Sequence, residues 1–397
     1  MLPLVLTHVS MVNSLGAGGQ ATLAGLRERR GGLRPCAAPW ATIDTFVGQV
    51  SGVETVRLPP SLAGYDCRNN RLALLGLEQD GFFAAVTAAK ARYGRSRVGL
   101  FLGTSTSGLE ATERAYRHRD PDSGALPPDF RYSMTQNTFS LGAFVRQVLD
   151  LDGPTVVVSS ACASTAMVFV EAARMIAAGL CDAAVVGGSD SLCLTTLYGF
   201  HSLGLLSRRP CRPFDIDRDG ISIGEGAGFA LLEKDTPVSD PGTIKLLGAG
   251  ESSDAYHMST PHPEGLGANL AMRRALESSG LAASSIDYIH LHGTATRAND
   301  VSEDKAVTAL FGTETPCSST KGWTGHGLGV SGVTNAIVAV LCIQHGFMPG
   351  SLNTQTVDPS LGSRYLIENR ASPVNAVLSN SFGFGGSNCS LILGRTI

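Results

Sequence analysis

Charge, paired cysteines and long hydrophobic runs are all scarce in this sequence. Lys, Arg, Asp and Glu make up 16% of the 397 residues, and the formal net charge is −3. A protein that binds by neutralising many phosphates needs an excess of basic residues, so no nucleic-acid partner is expected. So little charge implies a surface covered in part by a partner or by neutral side chains. Nine cysteines are scattered and none lies in a Cys-x-x-Cys pair. That argues against a disulfide framework and points to reduced thiols in a cytoplasmic protein. Residues 1–8 lack the basic region and apolar stretch of a signal peptide. The apolar run 336–343 is too short to span a bilayer and reads as a buried helix, so no transmembrane segment is expected. Glycine, by contrast, is plentiful: 47 residues, enough for many tight turns and close backbone approaches.

Strand and helix patterns alternate along the whole chain. Apolar strands are expected at 98–102, 155–158, 183–186, 288–291, 376–378 and 390–393, and helices at 72–92 and 166–178. Unbroken apolar strands between helices predict an α/β layered fold with both sheet faces covered. The pattern occurs twice. A seam at 235–243, with two prolines and a glycine, divides the halves, giving expected domains 1–240 and 241–397.

Four segments carry chemistry. Cys162 stands between the expected strand 155–158 and a helix, at the positive end of the helix dipole, where the thiolate is favoured as a nucleophile. A buried structural cysteine occupies such a place equally well. His292 opens a run of small residues, with Thr294 and Thr296 placed to hydrogen-bond an amide-bearing substrate arm. His326 sits in Thr324-Gly325-His326-Gly327, and Lys321 lies five residues before it, placed to orient a carboxylate or tune a neighbouring pKa. The turn Gly383-Phe384-Gly385-Gly386 has backbone N–H groups that would suit a developing oxyanion.

Together these segments resemble the β-ketoacyl-acyl carrier protein synthases. The resemblance extends to Arg212-Pro213-Phe214-Asp215, Asp217-Arg218-Asp219-Gly220, Gly224-Glu225-Gly226-Ala227-Gly228 and 252–258, in family order. It implies a thiolase fold, in which two duplicated halves form a five-layer αβαβα sandwich, and a dimer. It implies that Cys162 takes an acyl group from an acyl carrier protein, and that His292 and His326, as neutral imidazoles, stabilise the enolate formed when a malonyl unit loses CO2. Lys321 would support the histidines. The N–H groups of Cys162 and Phe384 would bind the second oxyanion, with Phe384 also a gate. Thr294 and Thr296 would bind the phosphopantetheine arm carried by the partner protein, and Thr106 and Phe382 would contact substrate. Asp300 and Glu303 read as structural support. No cofactor or metal of the enzyme's own is implied. Arg68, Arg71, Arg208 and Arg209 are candidates for docking the acidic carrier.

The sequence also departs from the family pattern. Asn335 stands where a glutamate is usual, removing a negative charge near Lys321, and His290 replaces a common asparagine. Thr106 falls where long-chain enzymes often carry an apolar residue, which would favour a less purely aliphatic acyl chain. With 259–265, the turn 103–108 looks like the ketosynthases of aryl-polyene pigment clusters, whose partner would be a related ketosynthase-like subunit in a heterodimer in place of a homodimer. The competing readings are a non-catalytic chain-length-factor-like subunit, which would usually lack the cysteine, and a thiolase. A thiolase needs a Cys-x-Gly setting near its C-terminus, whereas Cys389 is followed by Ser390-Leu391.

Overall fold

The computed structural model describes residues 3–37, 42–235 and 242–395. The expected domain boundary at 240/241, and most of the 235–243 seam, lie outside the described residues.

Two five-stranded units share one topology. In the first, the order is Thr155–Val158, Val98–Gly103, Ala183–Asp190, Gly226–Lys234, Leu4–Asn13. In the second it is Pro316–Ser318, Tyr288–His290, Ala376–Phe382, Ser387–Arg395, Ile244–Ser253. Counted by order of appearance within each half, both read 3-2-4-5-1. In both, the first two pairings are parallel and the last two antiparallel. The short strand Arg364–Tyr365 extends the second unit. The two units are also hydrogen-bonded to each other at one place, where Leu4 and Val5 pair with Leu246 and Lys245.

Strand residues alternate between two apolar cores, which defines the layers. Ala184 and Val186 of the first unit and Val377, Leu391 and Leu393 of the second face the same central core. That core is filled by the helices Ser164–Ala177 and Ser331–His345. Ala183 and Val185 face outward onto helices Arg68–Leu77, Phe82–Tyr93 and Phe139–Leu149. Ala376, Leu378 and Ile392 face outward onto Leu266–Ser279 and Arg297–Phe311. The result is the five-layer αβαβα thiolase fold expected from the sequence. The central segment Leu328–His345 is apolar and long enough to cross a membrane, but 83% of it is buried inside the protein.

One expected element is divided. The helical pattern over 72–92 is two helices bent by 74°. Asp80 (φ 54°) and Gly81 (φ 73°), between the two helices, are both left-handed and turn the chain from one helix axis to the next. The bend has a use: the Asp80 carboxylate accepts the Gly19 N–H at 3.0 and 3.1 Å, capping the helix Gly19–Arg27.

The two central helices meet at their N-termini. A Cβ at Gly332 would lie 2.4 Å from the Ala166 backbone nitrogen, so no side chain fits there. Gly332→Ala is therefore expected to lower stability by about 1–3 kcal/mol through overpacking. Urea unfolding with an unchanged midpoint would show that the helices have room to separate.

Candidate active site

Cys162 lies in the 3-10 turn Ala161–Ala163 that leads into the central helix Ser164–Ala177. The corresponding turn of the second half, Leu328–Val330, leads into Ser331–His345. Each turn starts with a non-glycine residue at positive φ, Ala161 at 46° and Leu328 at 56°. Repetition of one turn places His326, two residues before the second, against the first. The Sγ of Cys162 and a ring nitrogen of each of His292 and His326 all lie within 4.8 Å of one another. The two rings stand edge to face, centroids 5.2 Å apart.

Backbone contacts fix each histidine. The His292 N–H and the Gly293 N–H donate to the Glu303 carboxylate at 2.8 and 2.7 Å. The His292 carbonyl accepts from the Lys321 ammonium. His326 is held by the strand of the Gly224–Gly228 motif: its N–H donates to the Ser222 carbonyl at 2.7 Å, and its carbonyl accepts from the Gly224 N–H at 2.9 Å. Its Nδ1 accepts the Leu328 N–H at 3.1 Å and lies 2.9 Å from Ser331 Oγ. A neutral His326 ring therefore carries its proton on Nε2, as a donor into the site.

Burial sets the protonation states. It pushes both imidazoles well below 6.5, with Lys321 adding to the effect. Lys321 itself is brought down to about 8 by burial, against the pull of Glu303, and Glu303 is raised to about 7 by burial. Burial also lifts the Cys162 thiol from 9.0 to about 11, while Lys321 and the N–H groups of Phe384 and Cys162 act to lower it. Burial thus works against the helix-stabilised thiolate expected from the sequence. The Cys/His/His set is poorly matched to a metal ion. A metal on His326 Nε2 would force the ring proton onto Nδ1, facing the Leu328 N–H, and the Lys321 charge is close by.

A cavity of about 340 Å³ opens onto this cluster, lined among others by Cys162, His292, His326, Thr294, Thr296, Phe382 and Phe384. The two threonine hydroxyls are 2.9 Å apart. Thr296 also caps the Arg297–Phe311 helix. The Phe382 ring lies 5.9 Å from His292. The Phe384 turn is gripped from outside, because the Asp254 N–H donates to the Gly386 carbonyl and the Gly385 N–H to the Met258 carbonyl. Asp300 is internal support as expected. It accepts from the N–H groups of Phe214, Thr294 and Ala295 and pairs with Arg218.

The structure gathers Cys162, His292, His326, Lys321, Thr294, Thr296, Phe382 and Phe384 at one place, and it leaves other candidates outside. Thr106 does not line the cavity, and its hydroxyl is engaged by Asp190 at 2.9 Å and the Ser191 N–H at 3.0 Å. A free hydroxyl facing an acyl chain is therefore not its role. Arg68 is buried and paired with Glu225 and Glu54, so it is not a surface docking residue. Arg71 is bound through two nitrogens to Asp66. Arg208 and Arg209 are exposed, and neither lines the cavity. Cys389 is fully buried in its strand. Asn335 donates to the Asn380 carbonyl at 3.1 Å, and the negative charges acting on Lys321 include Glu303 and Asp300. His290 is buried with Nε2 3.1 Å from the Thr320 hydroxyl and is held down to about 3 by burial. Sequence reasoning missed Phe200, whose ring packs on Phe384 at 5.6 Å and lines the cavity, and Arg297 at the rim. Phe200 sits in an ordinary helical run and carries no local signal.

Two family models match in order: "Beta-ketoacyl synthase, N-terminal domain" over residues 77–237 and "Beta-ketoacyl synthase, C-terminal domain" over 244–355. A 3-oxoacyl-[acyl-carrier-protein] synthase 2 of Rhizobium meliloti is 37% identical over 315 residues, covering 75% of this chain and 74% of that protein. The chain belongs to the β-ketoacyl synthase family. A mitochondrial 3-oxoacyl-[acyl-carrier-protein] synthase of Arabidopsis thaliana is 40% identical over 258 residues, 60% of this chain. The match spans only 56% of that synthase and 58% of a chloroplastic one from the same plant. Among solved structures, the ketosynthase ApeO in complex with its chain length factor ApeC, from Xenorhabdus doucetiae, aligns with a TM-score of 0.89 at 36% identity, covering 100% of this chain and 98% of that one. The ishigamide ketosynthase/chain length factor aligns with a TM-score of 0.90 at 27% identity, covering 100% of both chains.

Two outcomes follow for this β-ketoacyl synthase-family site. Nitrogen-15 NMR of the histidine rings should show His292 and His326 neutral between pH 6 and 8, because burial disfavours the charged form, with the His326 proton on Nε2. An imidazolium signal in that range would contradict the site as described. Arg68→Ala should destabilise the fold by about 3–5 kcal/mol, since it leaves buried Glu225 without its partner. If denaturation is unmoved and only carrier binding weakens, Arg68 is a docking residue after all.

Proposed function

We propose that this chain is a catalytic β-ketoacyl-acyl carrier protein synthase. The observation that carries the reading is the convergence of a thiol, two neutral histidines and two inward N–H groups on one cavity. In the first step the Cys162 sulfur attacks the thioester carbon of an acyl-carrier protein. The N–H groups of Cys162 and Phe384 receive the oxyanion, the carrier sulfur leaves, and the Cys162 proton ends on it. In the second step a malonyl-carrier thioester takes its place. The His326 Nε2–H and the His292 ring hold its carbonyl oxygen, so that loss of CO2 leaves a stabilised enolate. The enolate carbon attacks acyl-Cys162. Cys162 leaves as a thiolate and regains a proton from solvent, and a β-ketoacyl-carrier product departs. The enzyme needs no cofactor of its own in this scheme. A non-catalytic chain-length-factor-like role is disfavoured, since every group of the scheme is present and in reach.

The carrier's phosphopantetheine arm would enter along Thr294 and Thr296. The edge strand Thr155–Val158 is half-buried throughout and ends the first sheet. An apolar edge of this kind is a pairing surface, and a related ketosynthase-fold subunit is the proposed occupant. The acyl group is proposed to be aryl or polyenoyl. Its support is the likeness of 259–265 to aryl-polyene ketosynthases, and Ser259, Thr260 and Pro261 of that segment line the cavity.

Intact-mass measurement after mixing with saturated, aryl and polyenoyl carrier proteins tests the scheme. The expected result is a mass gain on Cys162 that disappears when malonyl-carrier is added, with aryl or polyenoyl groups preferred. Cys162→Ala should lose the adduct and all condensation. His326→Ala should keep the adduct but slow condensation by about 100-fold or more. Condensation by Cys162→Ala would overturn the mechanism, and preference for saturated long chains would overturn the substrate assignment.

A further inference from the structure

The repeated turns that bring Cys162 and His326 together are also tied to each other, and one side chain makes the tie. Thr165, three residues after Cys162 in the first turn of its helix, is fully buried. Its hydroxyl donates to the Gly329 carbonyl at 2.5 Å and accepts the Val333 N–H at 2.9 Å. Both partners belong to the other half, in the turn and helix that follow His326. Gly329 is held at its other end as well, its N–H donating to Ser105 Oγ at 3.2 Å. A Cβ on Gly329 would lie 2.6 Å from the Asp190 carboxylate and 3.2 Å from Ser164 Oγ, so its bare backbone can sit against the nucleophile's helix. Residues on both sides of Gly329 orient the histidine: Leu328, next to it, through its N–H and Ser331, two residues on, through its hydroxyl, both at His326 Nδ1.

We propose that Thr165 is a positioning residue for His326: its hydroxyl locks the Leu328–Ser331 turn onto the helix of Cys162 and so sets the separation and aim of the His326 Nε2–H relative to the sulfur. The catalytic consequence rests on the condensing-enzyme reading above. Acyl transfer to Cys162 uses the sulfur and two N–H groups close to it and does not need His326. Decarboxylation and condensation do. Loss of the hydroxyl should therefore separate the two half-reactions.

Thr165→Val keeps the volume and removes the hydroxyl, whereas Thr165→Ser keeps the hydroxyl and removes a methyl group. A packing role predicts that serine is the more harmful change; the positioning role predicts that valine is. In T165V the malonyl-dependent kcat should fall at least about 10-fold, since a misplacement near 1 Å costs on the order of 100-fold. Acylation of Cys162 should stay within about 3-fold of wild type, and T165S should restore condensation to within about 3-fold. Equal loss of both half-reactions in T165V, or a T165S variant as slow as T165V, overturns the proposal. Ring nitrogen-15 spectra of the free protein decide it independently of any activity. The His326 resonances should move in T165V and return in T165S, and resonances that do not move overturn it. If T165V does not fold, Thr165→Ala against T165S carries the same contrast. A wild-type chain that forms no acyl-Cys162 defeats the condensing-enzyme reading instead, and the spectra still decide the positioning role.

Discussion

The rest of the structure depends on the contact between the two central helices at their N-termini. Each half of the chain brings one helix to the middle layer, and each helix starts from the same strained turn. Because Gly332 admits the Ala166 backbone nitrogen so closely, the two turns come within reach of one another. Cys162 belongs to one turn and His326 precedes the other. Neither half holds the full set of groups alone.

Burial at that junction then decides the chemistry. The groups there are out of water, and the charged forms of histidine are suppressed in favour of neutral donors. The same burial opposes the thiolate, so the helix terminus does not activate Cys162 unaided. Neutral imidazole and backbone N–H donors suit a developing oxyanion, because preformed donors need no reorganisation when that charge arrives. Lys321 and Glu303 share a different task. Acting on the carbonyl and the N–H of His292, an ammonium and a carboxylate hold one piece of backbone from both sides.

The remaining motif segments gain a physical meaning from this arrangement. The Ser222 carbonyl and the Gly224 N–H, on either side of Ile223, grip the His326 backbone, the Asp254 segment grips the Phe384 turn, and Asp300 ties Phe214 and Arg218 to the Thr294 loop. Arg218 and Asp254 also reach the cavity wall, and the other contacts hold the backbone that carries the site. Cys389, buried within a strand, shows the opposite case: a cysteine whose environment gives it no access to chemistry.

The fold class, the duplication and the candidate site residues were legible in the sequence, because each carries a local signal. Unbroken valine-rich strands mark a covered sheet, glycines mark the turns, and Cys162, His292, His326, Lys321 and the Phe384 turn each stand in a recognisable setting. What depends on distant partners emerges only in the folded chain. Thr106 spends its hydroxyl on Asp190, 84 residues away in the chain. Arg68 is neutralised by Glu225 across 157 residues. Phe200 becomes a cavity wall only because Phe384 packs on it, and the 72–92 helix is broken where Asp80 reaches back to cap another helix. Local pattern reports a residue's type and its period. Burial and pairing are set by which surfaces the fold presses together, and no window of the sequence contains that information.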